Sequence, residues 1–499
     1  MTQLVPIAFV HNIKKENGGL HKAIYHRMNV LSKVYDRVII YTYSFDKDFE
    51  SLCQYHKNIG NIDRRVEIIN LYNEEKDEIE YSPIKYKKNN KYFYFPVADN
   101  PYTFRVFDEK GEYKYYLKLR EDGTPDIKDY FTTPWKRYMK EVFDNRGILR
   151  KRIYMNDDNK PSYTVTFNNN SQPIVSSVLD KNGAPKNYFC FAHEIEYDTE
   201  LEMAMGKFKE FIKTIEMPVL FVDKREHVKY FDVLNEKNIK KIFILHNNHL
   251  DYPYINEDVI SPSVNDLFTS IINENIDRLI VLTNEQKKDI LTQFSIDKKI
   301  EVIPHYQPII NKEINEKQTK LIVTLARYHN AKNLKRAIEI IFKVKKVMPD
   351  IIYNIYGYGP QKDLLAQLIK DLDLEKNVFL KGHINDPHEK LKEAKLSLMT
   401  SNYEGFCLAI SESLACSTPV VSWNTKYGPS EIIRNGMDGY IVEDENEASE
   451  KILKILNMDD NEFNEMQKNS LDVSNRFSEE SNNKLWINLL NDLSYEYES

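Results

Sequence analysis

The stretch Met399 to Cys416, MTSNYEGFCLAISESLAC, decides the reading of this chain. The short apolar run Leu396 to Met399 predicts a strand, and Ser401, Asn402 and Gly405 break it. From Leu408 to Cys416 the apolar residues return at helical spacing. Strand, polar turn and helix together aim backbone N–H groups and a positive helix end at whatever lies beyond the strand, which suits a phosphate-bearing ligand. Two carboxylates punctuate the stretch, Glu404 in the turn and Glu412 in the helix, separated by seven residues. Paired carboxylates also serve glycoside hydrolases as acid and nucleophile.

Moving outward, the surrounding sequence repeats the pattern. Leu321–Leu325 predicts a strand that ends in the polar loop Ala326–Asn333, and a helix follows from Leu334 to Lys346. DIIYNIYGYGP (350–360) and NVFLKGH (377–383) are strands closed by turns, and PVVSW (419–423) and GYIV (439–442) are further strands. Upstream, LVPIAFV (4–10), a loop with Lys14, Lys15, Glu16, Asn17, Gly18 and Gly19, a helix from Leu20 and the strand VIIYTY (38–43) open a doubly wound α/β unit. That loop lacks the G-x-G-x-x-G spacing of a dinucleotide fingerprint. VLFVD (219–223), IFILH (242–246), RLIVLT (278–283) and KIEVIPH (299–305) continue the unit, and residues 308–318 form a polar linker. Between them, residues 78–191 alternate aromatic and charged positions, with turn signals at Gly111, Gly123, Gly147, Asn159 and Gly183. This predicts an antiparallel β-meander inserted as a separate module, whose aromatic strands need covering.

The 499 residues suffice for several domains, and 41% hydrophobic residues suffice for real cores. A formal charge of −7 argues against nucleic acid as the partner. No apolar run reaches the roughly 18–20 residues of a membrane span, and the amino terminus lacks the features of a signal peptide, so a cytoplasmic location is expected. Cys53, Cys190, Cys407 and Cys416 are scattered, which fits reduced thiols. Asp46 and Asp48 have D-x-D spacing but lie in an acidic stretch far from the other motifs and are read as a solvated loop.

Six motifs occur in order between Ala326 and Tyr440: A-R-x4-K (326–332), Y-G-x-G-P (356–360), L-K-G-H (380–383), S-x-x-E-G with its E-x7-E, A-C-S-T-P-V-V (415–421), and Y-G-P-S-E-I-I with N-G-x-D-G-Y (427–440). Together they make this half resemble the retaining glycosyltransferases of glycosyltransferase family 4. The early G-G loop, the β-meander and L-H-N-N-H (245–249) narrow the resemblance to bacterial wall teichoic acid α-glycosyltransferases. These attach N-acetylglucosamine to poly(ribitol-phosphate) or glucose to poly(glycerol-phosphate). The resemblance implies a GT-B fold, α/β in class: two Rossmann-like domains facing across a cleft, with the β-meander inserted in the first. The expected division is 1–77 with 192–312 as acceptor domain, 78–191 as insert, 313–476 as nucleotide-sugar domain, and 477–499 as a helix crossing back.

The resemblance also assigns roles. Arg327 and Lys332 neutralise the donor diphosphate, Glu404 stands at the donor sugar, and Glu412 holds the ribose hydroxyls. Gly405, Phe406, Cys407 and Leu408 offer backbone N–H groups, while Tyr358, Gly382 and His383 border the base. Gly18 and Gly19 approach the sugar. His246 is the active-site histidine, with His249 as runner-up; the catalytic set is His246, Glu404, Arg327 and Lys332. UDP-glucose or UDP-N-acetylglucosamine is the expected donor, with no cofactor and no metal, since Arg and Lys can replace a cation. The expected acceptor is anionic teichoic acid, drawn by Lys14, Lys15, Lys22, His26 and Arg27. A homotrimer through the insert and peripheral association with the inner membrane face complete the expectation. The alternative acceptor is Ser or Thr of a serine-rich adhesin.

Overall fold

Buried parallel strands read as continuous apolar runs, and the structure, a computed structural model, uses them in that way. It describes residues 4–498 apart from 16–17, 74–81, 98–99, 134, 233, 235–237, 257–258, 311–312, 315 and 385. Glu16, Asn17 and the expected boundaries after residues 77 and 312 therefore lie at or within undescribed residues. The chain gathers into two compact units, Met1–Phe221 with Val233–Ile239, and Val222–Asp232 with Lys240–Ser499.

In the first unit, strands Val5–Val10, Val38–Thr42 and Val66–Asn70 pair in parallel, and Val5–Ala8 pairs on its other side with Pro218–Phe221. The helix Gly19–Leu31 buries Ile24, Met28 and Leu31, spaced as one helical face. Arg27 is buried with them, its guanidinium 4.5 Å from the Phe221 ring centre, so it is a core residue and not part of a solvated basic face.

The same unit holds a ten-stranded antiparallel meander, running in order from Tyr92–Val97 to Ile195–Tyr197. Left-handed residues recur at Gly111, Gly123, Trp135, Gly147, Asn159, Ser171 and Gly183, each twelve residues after the last. Asp108, Asp144, Asn156, Asn168 and Asp180 each accept N–H bonds from the residues two and four later, which closes those turns. Consecutive antiparallel strands return alternate turns to the same end. At one end, Arg146 pairs with Glu50 at 2.9 Å, Lys47 with Asp126 at 2.7 Å, and buried Arg150 donates to Tyr72 O at 3.1 Å. The other end carries Trp135, 84% exposed, where the other turns have Gly, Asn or Ser. A bulky residue at φ 79° is a conformational outlier.

In the second unit, Lys240–Ile244, Arg278–Val281 and Ile300–Val302 pair in parallel. A six-stranded parallel sheet follows, in the order Val378–Gly382, Ile352–Tyr356, Gln318–Leu325, Ala394–Met399, Val420–Trp423, Gly439–Val442. Numbered along the chain, this is 3-2-1-4-5-6, the order of a Rossmann sheet. Its switch point lies between Gln318–Leu325 and Ala394–Met399, so the loops after these two strands border the crevice where such sheets bind ligands. The last helix, Glu479–Glu498, buries Trp486, Leu489, Leu490 and Leu493 and donates from Asn482 to Pro304 O at 2.6 Å.

Gly147 and Gly111 have similar positive φ, but a Cβ at Gly147 would stand 2.6 Å from Ile84 O, whereas Gly111 faces open space. Gly147→Ala should therefore lower stability by ~3 kcal/mol, against ~1 kcal/mol for Gly111→Ala. Thermal unfolding of the two variants side by side checks this; equal shifts would refute the packing account.

Candidate active site

At the switch point, polar contacts join the loops after the first and fourth strands. Thr400 donates to the carbonyls of Lys332 and Asn333 at 3.2 and 3.1 Å, Asn402 N donates to Ala331 O at 2.8 Å, and Asn333 Nδ2 donates to Asn402 Oδ1 at 2.9 Å. Asn333, left-handed, also caps the helix Leu334–Lys345. This lattice brings Lys332 Nζ to 2.5 Å from Glu404 Oε1, and Ser401 Oγ donates to the same oxygen at 2.6 Å. Burial favours the neutral amine of Lys332, yet Glu404 outweighs it and the net pKa is raised, with Arg327 close enough to oppose the effect. Lys332 thus remains a cation inside the crevice, and Arg327 stands exposed beside it.

Glu404 leads into the Leu408–Ala415 helix, whose N-cap Cys407 is buried in the left-handed region with no side-chain capping bond. The first-turn amides of such a helix have no intrahelical partner. Phe406 is buried, and Leu408 and Glu412 are half-buried on this helix and its approach. At Gly405 the fit allows no side chain, because a Cβ would stand 2.1 Å from His246 O. The turn and the His246 segment touch through bare backbone.

His246 lies just beyond the strand Lys240–Ile244. Its Nε2 is 2.7 Å from Asp223 Oδ1, the aspartate side chain is 2% exposed, and the ring stacks on His305 with centres 5.9 Å apart. A buried carboxylate on one ring nitrogen fixes the imidazole's orientation. Asp223 was not singled out in the sequence; the signal was an acid closing the apolar run VLFVD, at the carboxyl end of a strand.

His249 has a different environment. It is 0% exposed, stacks on Tyr427 with centres 5.7 Å apart, and burial, followed by Arg225 and Lys426, pushes its pKa down to about 3. Asn248 ties the loop down by donating to Lys426 O at 2.9 Å, and Lys426 in turn pairs with Asp289 at 2.5 Å.

Tyr358 and His383 are exposed, with ring centres 5.7 Å apart, at the ends of adjoining strands, and Gly382 lies beside them. Gly18 and Gly19 begin the helix Gly19–Leu31 in the first unit. The structure thus joins Lys332, Glu404, Gly405 and His246 by contact and sets Arg327 next to Lys332. Among the described residues, no group of three or more His, Cys, Asp or Glu side chains could hold a metal ion. Asp48 lies 3.6 Å from Lys47 and 4.0 Å from Arg120.

The unfolded chain protonates His249 near pH 6.5, but the folded chain does so only near pH 3. Acid therefore favours unfolding, and the stability present above pH 6.5 is lost as pH falls toward 3. Between pH 7 and pH 5 this residue should cost about 2 kcal/mol. His249→Phe should flatten the fall in melting temperature over that interval; a parallel fall in both proteins would refute it.

Comparison with known proteins agrees with this architecture. Residues 307–472 match the model of the family described as glycosyl transferases group 1. Over 498 residues the chain is 28% identical to the poly(ribitol-phosphate) alpha-N-acetylglucosaminyltransferase of Staphylococcus aureus (strain COL), covering 97% of this chain and 98% of the relative. It is 22% identical to the poly(glycerol-phosphate) alpha-glucosyltransferase of Bacillus subtilis (strain 168), covering 95% and 73%. Among solved structures, the crystal structure of TarM superposes with a TM-score of 0.83 at 25% identity, covering 98% of this chain and 99% of that one. Family model, relatives and fold agree with the motifs in sequence: the chain is a glycosyltransferase of the GT-B fold, built like the wall teichoic acid α-glycosyltransferases.

Proposed function

We propose that the chain is a retaining α-glycosyltransferase that moves glucose or N-acetylglucosamine from a UDP-sugar to hydroxyls of a poly(glycerol- or ribitol-phosphate) wall teichoic acid. The observation that carries this reading is the meeting of Arg327, Lys332 and the Lys332-paired Glu404 at the switch point of a Rossmann sheet. When the sugar–phosphate bond breaks, negative charge grows on the leaving diphosphate, and fixed cations and helix N–H groups stabilise it. Glu404 faces the sugar and positions Lys332, and Glu412 takes the ribose. His246, oriented by Asp223, stands at the acceptor side. The two cations do the work of a metal, so no divalent ion is required.

The teichoic acid reading has the fuller support. The peptide N-acetylglucosaminyltransferase GtfA subunit of Streptococcus pneumoniae matches 74% of this chain, against 97% for the poly(ribitol-phosphate) enzyme. The division into 1–77 with 192–312, 78–191, 313–476 and 477–499 belongs to this reading, as does work at the inner face of the membrane. No helix among the described residues is long and apolar enough to cross a membrane.

Arg327→Ala and Lys332→Ala should each lower kcat/KM for the UDP-sugar by a hundredfold or more, about 3 kcal/mol of transition-state stabilisation. A screen of UDP-sugars against both polyol-phosphate polymers with the purified chain measures this. Near-normal rates in the variants would remove the assignment.

Oligomerisation through the insert completes the proposal. The support is Trp135, bulky, exposed and at the end of the meander away from its anchoring ion pairs. Light scattering should give the mass of three chains, shifting toward one as Trp135→Asp is diluted. A single-chain mass for the wild type at every concentration would overturn it.

A further inference from the structure

A second opening in the carboxy-terminal unit is unused by this chemistry. It is a cleft of about 810 Å3, within the size range of small-molecule sites. Its floor is the other side of the catalytic turn. Asn402 and Tyr403 line it, while Ser401 and Glu404 on the same turn engage the switch point. Glu404 N donates to Lys426 O at 3.0 Å, so the turn is also fastened to the loop that forms the next wall.

Three tyrosines shape the cleft. Tyr403 and Tyr254 have ring centres 4.4 Å apart, and Tyr252 stands edge-on to Tyr254 at 5.9 Å. Tyr252 is 77% exposed and Tyr254 adopts φ 69°. Holding a bulky side chain in the left-handed region costs energy, and such outliers cluster at ligand sites. At that exposure the Tyr252 ring is not part of a core.

The cations along the walls are paired, and the lining carboxylate accepts from a hydroxyl. Arg336 lies 3.8 Å from Glu445 with its guanidinium over the Trp423 ring, Lys426 pairs with Asp289, and Glu285 accepts from Ser430 at 2.9 Å. A polyanion gains little from cations already paired. Amides supply the remaining polarity: Asn424 donates to Glu443 at 2.6 Å through Nδ2, which leaves its amide oxygen to accept from a ligand. Aromatic faces with neutral hydrogen-bonding groups suit a ring with apolar C–H faces and a rim of hydroxyls.

We infer that this cleft is a second carbohydrate subsite, which takes a hexopyranosyl group already attached to the acceptor polymer. By gripping a decorated stretch of chain beside the catalytic turn, it gives the enzyme a preference for polymers it has begun to modify. The attached-sugar part of this inference rests on the acceptor proposed above; the sugar-binding part does not.

The test uses the full chain with saturating UDP, so that the donor site is occupied. Methyl α-D-glucopyranoside and methyl N-acetyl-α-D-glucosaminide are the probes, with binding read by saturation-transfer NMR. The wild type and Tyr252→Phe should bind one of them, and Tyr252→Ala should weaken that binding at least fivefold. With polymer acceptors, Tyr252→Ala should raise KM about fivefold for pre-glycosylated chains and leave KM for bare chains and kcat unchanged. Failure of the wild type to bind either glycoside, or equal binding by Tyr252→Ala, overturns the subsite. If Tyr252→Ala loses glycoside binding but the wild type transfers sugar to neither polymer, the subsite stands and the proposed acceptor falls.

Discussion

Everything at the switch-point crevice depends on a missing methyl group. Gly405 lets the turn after the fourth strand of the Rossmann sheet lie against the backbone of His246 and Asn247, where a Cβ would overlap carbonyl and Cα atoms. That contact sets the distance between two groups brought from different parts of the second unit. On one side is the half-buried Lys332–Glu404 pair; on the other is a histidine held by a buried aspartate. Both pairs place charge in a poorly solvated place, and each is tolerable because the partner is within hydrogen-bond reach. Sub-ångström fit at a backbone contact thus governs whether the electrostatics on either side are aimed at the same point.

Much of the fold could be read from the chain because its α/β strands are apolar runs bounded by polar loops. IFILH and RLIVLT, for example, both became parallel strands. The meander was legible from its turns, whose Gly and Asn positions supply left-handed backbone. The E-x7-E stretch, with Arg327 and Lys332, came from motif order, and the fold sets their loops at a switch point.

What escaped the sequence was pairing at a distance. Asp223 and His246 are 23 residues apart, and nothing local says that one orients the other. Arg27 looked like part of a basic face, but only the packed structure shows that its guanidinium covers a phenylalanine ring in the core. His246 and His249 are three residues apart and have the same chemistry, yet one is held by a carboxylate and the other is sealed between aromatic rings. Trp135 could not be flagged as the odd turn until the twelve-residue period of the others was visible in their dihedrals.

That period makes the meander a ruler. Each strand adds about 4.8 Å of sheet width, and two twelve-residue steps return the chain to the end from which it started. An insertion or deletion of one hairpin would therefore change the reach of the module by ~10 Å. It would leave every remaining turn on its original side. Variation in length by whole hairpins, with the anchoring ion pairs untouched, is a route by which such chains can be matched to partners of different size.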